Sequence, residues 1–201
     1  MIKKILIDAI YLLALINPVS KISILSVFSS EEDDKEIIPV AAQSSLIALC
    51  ILLLIMIFGN FILSQIFHVE LYSLNIAGGI VLFWVGFSAL TKGVFFEHGT
   101  KAHFRDISIV PLASPMIAGP ATITASLTLS VQNGLFLSSI AMVIAIAINM
   151  GLMFISRPIG NFLSKFNILG ALIRITGLIV ITIGVQMVFN GLSSWIIIFL
   201  K

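Results

Sequence analysis

The stretch Leu15-Ile16-Asn17-Pro18-Val19-Ser20-Lys21-Ile22-Ser23-Ile24 lies inside an apolar run and interrupts it with an Asn-Pro pair. A second interruption occurs in the other half of the chain, Pro111-Leu112-Ala113-Ser114-Pro115-Met116-Ile117-Ala118-Gly119-Pro120-Ala121-Thr122-Ile123-Thr124. A helix crossing lipid must satisfy its backbone polar groups internally, because hydrocarbon offers no hydrogen-bond partner. Proline removes a donor and clashes with the carbonyl one turn earlier, at about 3 kcal/mol or more in a helix interior. A polar Asn-Pro or Ser-Pro in mid-segment therefore wastes stability unless the freed groups meet something. Paired breaks in corresponding positions of two halves point to a transporter-like binding site.

The surrounding sequence places both breaks in a membrane. Of 201 residues, 59% are apolar and 10% charged, with a mean hydropathy of +1.18; a soluble domain carries about a quarter charged residues. Crossing the hydrocarbon core takes about 20 helical residues. Six segments are long enough, near 5–28, 38–65, 71–90, 107–130, 135–156 and 169–191. The first follows Lys3 and Lys4 as a signal peptide would. It is too long for a signal core, contains Asp8 and lacks a small-x-small cleavage site, so it reads as a retained span. The longest polar connection is 92–106, and the chain reads as a single membrane domain over 1–201.

Several function classes drop out. A net charge of +2 without a basic run argues against nucleic-acid binding. The single cysteine, Cys50, supports neither a disulfide framework nor a thiolate metal site. His98 and His103 beside Glu97 have a poor spacing for joint ligation on a helix, and no cofactor or metal is expected. No Ser-His-Asp or metal-acid constellation is apparent, so the chain is expected not to be an enzyme. No Asp or Glu falls at mid-membrane depth, which removes the carboxylate relay common in proton-driven pumps. Coupling would use backbone carbonyls around a cation such as sodium, a proton on the substrate, or downhill flux.

Orientation follows from the loops. One face receives Lys3, Lys4 and Lys201; the other receives Lys35, Lys92, Lys101, Arg105, Arg157 and Lys165, with Arg174 anchoring the last span nearby. The positive-inside rule puts the richer face in the cytoplasm and both termini outside it. The acidic run 31–36 reads as a solvated connection, and Ile38-Pro39 as the start of the second span.

The halves resemble each other. Asn17-Pro18 aligns with Ser114-Pro115 at an offset of 97 positions, and Gly78 with Gly177 at 99, together with Ile76/Ile175 and Val81/Val180. An odd number of spans per half inverts the second copy, so the expected fold is all-α with six transmembrane helices. They form a 3+3 inverted-topology repeat, about 5–92 and 107–191, with broken first and fourth helices. Each break leaves a half-helix whose free N-terminal amides, from Val19 and from Ala121 onward, suit a carboxylate. The expected substrate-binding residues are Pro18, Ser20, Ser23, Pro115, Gly119 and Pro120, which shape the breaks and leave room for a compact ligand, and Asn17, Ser114, Thr122 and Thr124, which offer hydroxyl and amide partners. Kinks that only pack against neighbouring helices are the plainer alternative.

Asn17-Pro18-x-x-Lys21-Ile22, followed by Val110-Pro111-Leu112-Ala113-x-Pro115-x-Ile117-Ala118-Gly119-Pro120, resembles the MarC family of six-span bacterial and archaeal membrane proteins, over the length of the chain. The family was named after multiple antibiotic resistance, and the resemblance implies transport of small neutral amino acids such as glycine and alanine. It maps the first motif onto Asn17 and Pro18 and the second onto Pro111, Pro115, Gly119 and Pro120. Ser20 and Ser23 stand where the family typically has glycine and proline, which implies a shallower first break.

Other polar residues have two readings each. Lys21 snorkels toward the cytoplasmic face or partners substrate or gate. Asp8 stays wetted near the outer interface. Asn149, Gln186 and Asn190 hydrogen-bond between helices or line a pathway. The leading expectation is a secondary transporter or exporter of small neutral amino acids or similar zwitterions, in the cell membrane, a bacterial inner membrane on this reading. Its partners are a small-molecule substrate and the lipid bilayer. The competing expectations are a non-transporting structural or partner-binding membrane protein and a broad antibiotic or solute efflux protein.

Overall fold

The computed structural model describes residues 1–27, 31–95, 113, 116–166 and 168–200. Among them every regular element is helical: α1 (Ile2–Ile16), α2 (Pro18–Val27), α3 (Glu31–Phe61), α4 (Leu71–Lys92), α5 (Pro120–Asn133), α6 (Leu135–Phe154), α7 (Ser156–Lys165) and α8 (Leu169–Phe199). One π-helical turn, Ile62–Ile66, closes α3. Small residues such as Ala48, Ala125, Ala141 and Ala145 are buried between helices, while Phe61, Trp84 and Phe189 face outward. That distribution suits lipid, where helices associate through close backbone approach rather than apolar burial from water.

Among the described residues, five stretches are long and apolar enough to cross a bilayer: Ile2–Ser23, Ile37–Ile66, Leu71–Lys92, Leu135–Phe154 and Leu169–Phe199. The chain is an integral, multi-pass membrane protein. The expected fourth span contributes α5, whose 14 residues rise about 21 Å and fall short of a bilayer core of about 30 Å. Residues 107–112 of that span lie outside the described residues. Three other boundaries move. The acidic run 31–36 is helical and opens α3, so Pro39 lies inside the helix rather than starting it; acidic residues at a helix N-terminus complement its dipole and extend it. The last helix continues past 191 to Phe199. After α6, Ile155 turns the chain (φ −101°, ψ 20°) into the short α7, which packs against α2.

The most extensive helix pair is α4 with α8, and glycines set its geometry. A Cβ on Gly79 would lie 2.5 Å from the Gly184 carbonyl oxygen, and one on Gly184 would lie 2.7 Å from that of Gly79. Gly86 and Gly177 repeat the arrangement at 2.6 and 2.9 Å. Two reciprocal backbone contacts in this order make the helices antiparallel. They relate Gly79 to Gly177 and Gly86 to Gly184, an offset of 98 positions, and Gly93 and Gly191 continue the same seven-residue spacing. Gly78 and Gly177, aligned at an offset of 99 in the sequence, have different neighbours: a Cβ on Gly78 would meet the Thr124 hydroxyl, whereas one on Gly177 would meet the Ala89 side chain and the Gly86 backbone.

A second antiparallel pair carries the breaks. Asn133 Nδ2 at the end of α5 donates to Asp8 Oδ2 in the middle of α1 at 2.7 Å. At the opposite ends of the same two helices, the first and second breaks meet. Asp8 is 6% exposed, so it ties helices together instead of staying wetted.

Candidate functional site

The first break is a matter of backbone accounting. α1 stops at Ile16 because Asn17 turns left-handed (φ 56°, ψ 77°), a conformation asparagine tolerates better than most residues. Its N–H still reaches the Leu13 carbonyl at 2.9 Å. Pro18 then opens α2, where its missing N–H costs nothing. The Ser20 N–H, which an unbroken helix would give to the Ile16 carbonyl, goes to the Asn17 carbonyl at 3.1 Å. Ser20 Oγ donates to the same oxygen at 2.7 Å. The Ile16 carbonyl is left without its helical donor, and Ser20 needs no positive φ because Asn17 supplies the turn. The amide expected to be free at Ser20 is thus used inside the break.

The second break is described from Ala113, in part, to Thr124. The Ala118 N–H reaches five residues back to the Ala113 carbonyl at 2.9 Å, a π-type turn of the kind often found at functional positions. Pro120 opens α5, with Gly119 as its N-cap (φ −86°, ψ 169°) and no side-chain cap. The first backbone bond of α5 runs from the Ile123 N–H to the Gly119 carbonyl at 2.9 Å. The preceding amides, of Ala121 and Thr122, form the uncapped positive end of the helix. Pro120 also lacks the N–H that would serve the Met116 carbonyl one turn earlier. Each break therefore leaves carbonyls without their helical donors, Ile16 among them on one side and Met116 on the other.

Lys21 takes both. Its Nζ donates to the Ile16 carbonyl and, at 2.7 Å, to the Met116 carbonyl. The side chain is 1% exposed and does not snorkel: the Ile16 and Met116 carbonyls hold its end inside the protein. Among the described residues no carboxylate pairs with it. The sequence shows the lysine but not this geometry, because the second partner is 95 residues away and is a backbone atom.

Where the breaks meet, a cavity of about 180 Å³ opens. It is comparable with the engineered cavity of roughly 150 Å³ that holds benzene, so it admits a compact ligand of a few heavy atoms. Asn17, Ser20 and Lys21 border it from one break; Gly119, Pro120 and Thr122 border it from the other. Leu82 and Val85 of α4 and Val180 of α8 make an apolar wall. Pro18, Ser23 and Thr124 do not line it. Thr124 Oγ1 donates to the Pro120 carbonyl at 2.8 Å and lies 3.4 Å from that of Leu74. Ser114 and Pro115, with Pro111, lie outside the described residues.

A larger cavity of about 530 Å³ lies further along α5 and α8, toward Asn133 and the α1 N-terminus. Tyr11, Asn75, Thr128, Gln132, Gln186 and Asn190 make about half of its lining polar, without a charged group. Thr128 Oγ1 donates to Asn75 Oδ1 at 3.3 Å, and Gln186 Nε2 to Asn190 Oδ1 at 2.8 Å. Gly78 lies against Thr124 and Met187, and Met187 borders the larger cavity. Asn149 borders neither: it is buried in α6, where its Nδ2 donates to Met153 Sδ at 3.3 Å. His98, His103 and Glu97 lie outside the described residues, and among those described no metal-binding group of His, Cys, Asp and Glu gathers.

The sequence places these features in a family. The profile described as MarC family integral membrane protein matches residues 2–196. A UPF0056 membrane protein of Pyrococcus horikoshii is 36% identical over 201 residues, covering 100% of this chain and 99% of its own. UPF0056 membrane proteins of Aquifex aeolicus (30% identical, 91% of this chain and 89% of theirs) and Bacillus subtilis (28%, 92% and 92%) are also similar. No solved structure matches the chain. With full-length coverage by the family profile and by a relative of this identity, the chain belongs to the MarC family of integral membrane proteins.

Proposed function

We propose that the protein is a secondary transporter of small zwitterionic metabolites, with small neutral amino acids as the leading substrate class. The observation that carries this reading is the 180 Å³ cavity bordered by both helix breaks, with the uncapped N-terminus of α5 on its wall. Half-helix N-termini in transporter cores face anionic substrate groups. The amides of Ala121 and Thr122 would hold a carboxylate, with Asn17 and the Thr122 hydroxyl beside it. The apolar wall of Leu82, Val85 and Val180 leaves room for a small side chain only. The polar cavity toward the α1 N-terminus provides an access route, and the Thr124–Gly78–Met187 layer is its closed side.

A six-span, 3+3 inverted repeat accompanies this reading. The reciprocal glycine contacts of α4 and α8 and the antiparallel run of α1 and α5 support it. The positive-inside count supports a cytoplasmic location for the α7 face, with both termini on the other side of the cell membrane. On this reading the substrate crosses unchanged, and the protein performs no covalent chemistry.

Radiolabelled glycine and alanine flux in liposomes containing the purified protein tests the proposal. Uptake above empty liposomes is expected, with Asn17→Ala and Thr122→Val each raising KM by roughly fivefold, the cost of one uncharged hydrogen bond. No flux by well-folded wild type under any sodium or pH gradient would reject it in favour of a structural role.

A further inference from the structure

Two carbonyls orphaned in lipid must find a donor or a cation. In transporters built on broken helices, unwound carbonyls and the C-terminal ends of half-helices commonly coordinate the coupling cation. Ile16 is such a C-terminal end, and Met116 lies in the π-type turn that precedes α5. Between them stands the Lys21 ammonium, donated from α2 and bonded to both. We propose that Lys21 is the built-in cation of this protein: its ammonium occupies the place a diffusible sodium ion would take, and the protein binds and moves its ligand without sodium.

The geometry favours an ammonium over a passive packing role. The stem would fill space equally well as methionine, yet the charged end reaches two of the carbonyls that the breaks deprive of helical donors. Charge-assisted bonds of this kind are roughly twice as strong as neutral ones, and here they also join the two half-helices. Removing the ammonium exposes both oxygens to a cavity with room for a small cation. The flux part of this inference rests on the transport reading above; the occupancy part does not.

Thermal unfolding of the purified full-length protein in detergent, in sodium chloride or choline chloride at equal ionic strength, separates the two. Wild type is expected to unfold at the same temperature in both salts. Lys21→Met is expected to unfold roughly 5–10 °C lower in choline, the effect of stranding two buried acceptors, and to recover part of that loss in sodium. Lys21→Arg, which keeps the charge, is expected to fold and to stay insensitive to sodium. A sodium-specific rise for the wild type, or Lys21→Met indifferent to sodium, overturns the assignment. Should Lys21→Met not fold, a sodium-responsive Lys21→Arg overturns it and an insensitive one upholds it. None of these measurements uses a substrate. Failed salt behaviour therefore leaves the transport reading intact, and absent flux with intact salt behaviour rejects transport alone.

Discussion

Asp8 and Asn133 show how a single polar contact fixes the relation between two helices. Asp8 is buried, and the Asn133 amide meets it at 2.7 Å across 125 residues of sequence. A buried acceptor that loses its donor keeps its desolvation cost, so Asn133→Ala removes more than one bond's net worth. Stranding such an acceptor costs about 1–3 kcal/mol, and the upper end applies where it is charged. Thermal unfolding of Asn133→Ala in detergent should show that loss, while Asn133→Gln, which keeps the amide, should recover part of it. Equal stability of the alanine variant and the wild type would mean that α1 and α5 are held by packing alone.

At the level of elements, α4 and α8 approach until only hydrogen fits between their backbones. In a solvated helix, alanine is favoured over glycine by roughly 0.5–1 kcal/mol. The contacts of Gly79 reverse that preference, because a methyl group there would press on the Gly184 carbonyl and the Val188 backbone. Overpacking of this kind costs about 1–3 kcal/mol, so Gly79→Ala should lower stability despite its better propensity. A methyl group on Gly151 in α6 would meet nothing within 4 Å, and Gly151→Ala should be neutral or stabilising. Unfolding curves of the two variants side by side decide the matter: the same sign for both would falsify the claim that backbone contact sets the α4–α8 register.

For the whole molecule, membrane insertion and both breaks were legible in sequence, because apolar length and Asn-Pro or Gly-Pro interruptions are local signals. The buried lysine, the paired Asp8 and the glycine contacts of α4 with α8 were not, since each depends on a partner far along the chain. The sense of insertion can be tested directly. Asp8 and Asn133 share one side with the start of α4 and the end of α8: Gly191 meets Tyr72, and Tyr11, Gln132, Asn75 and Asn190 border one cavity. α7 and the start of α8 occupy the other, and that side carries Arg157, Lys165 and Arg174. With Cys50 replaced by alanine, a cysteine at Lys3 should react with a membrane-impermeant maleimide in intact cells. One at Lys165 should react only after permeabilisation. Equal reaction of both in intact cells breaks the six-span arrangement, because an even number of crossings keeps the termini together and puts α7 across the membrane from them. Reversed labelling keeps the repeat and inverts its orientation, which would show that the lysine and arginine asymmetry does not govern insertion here.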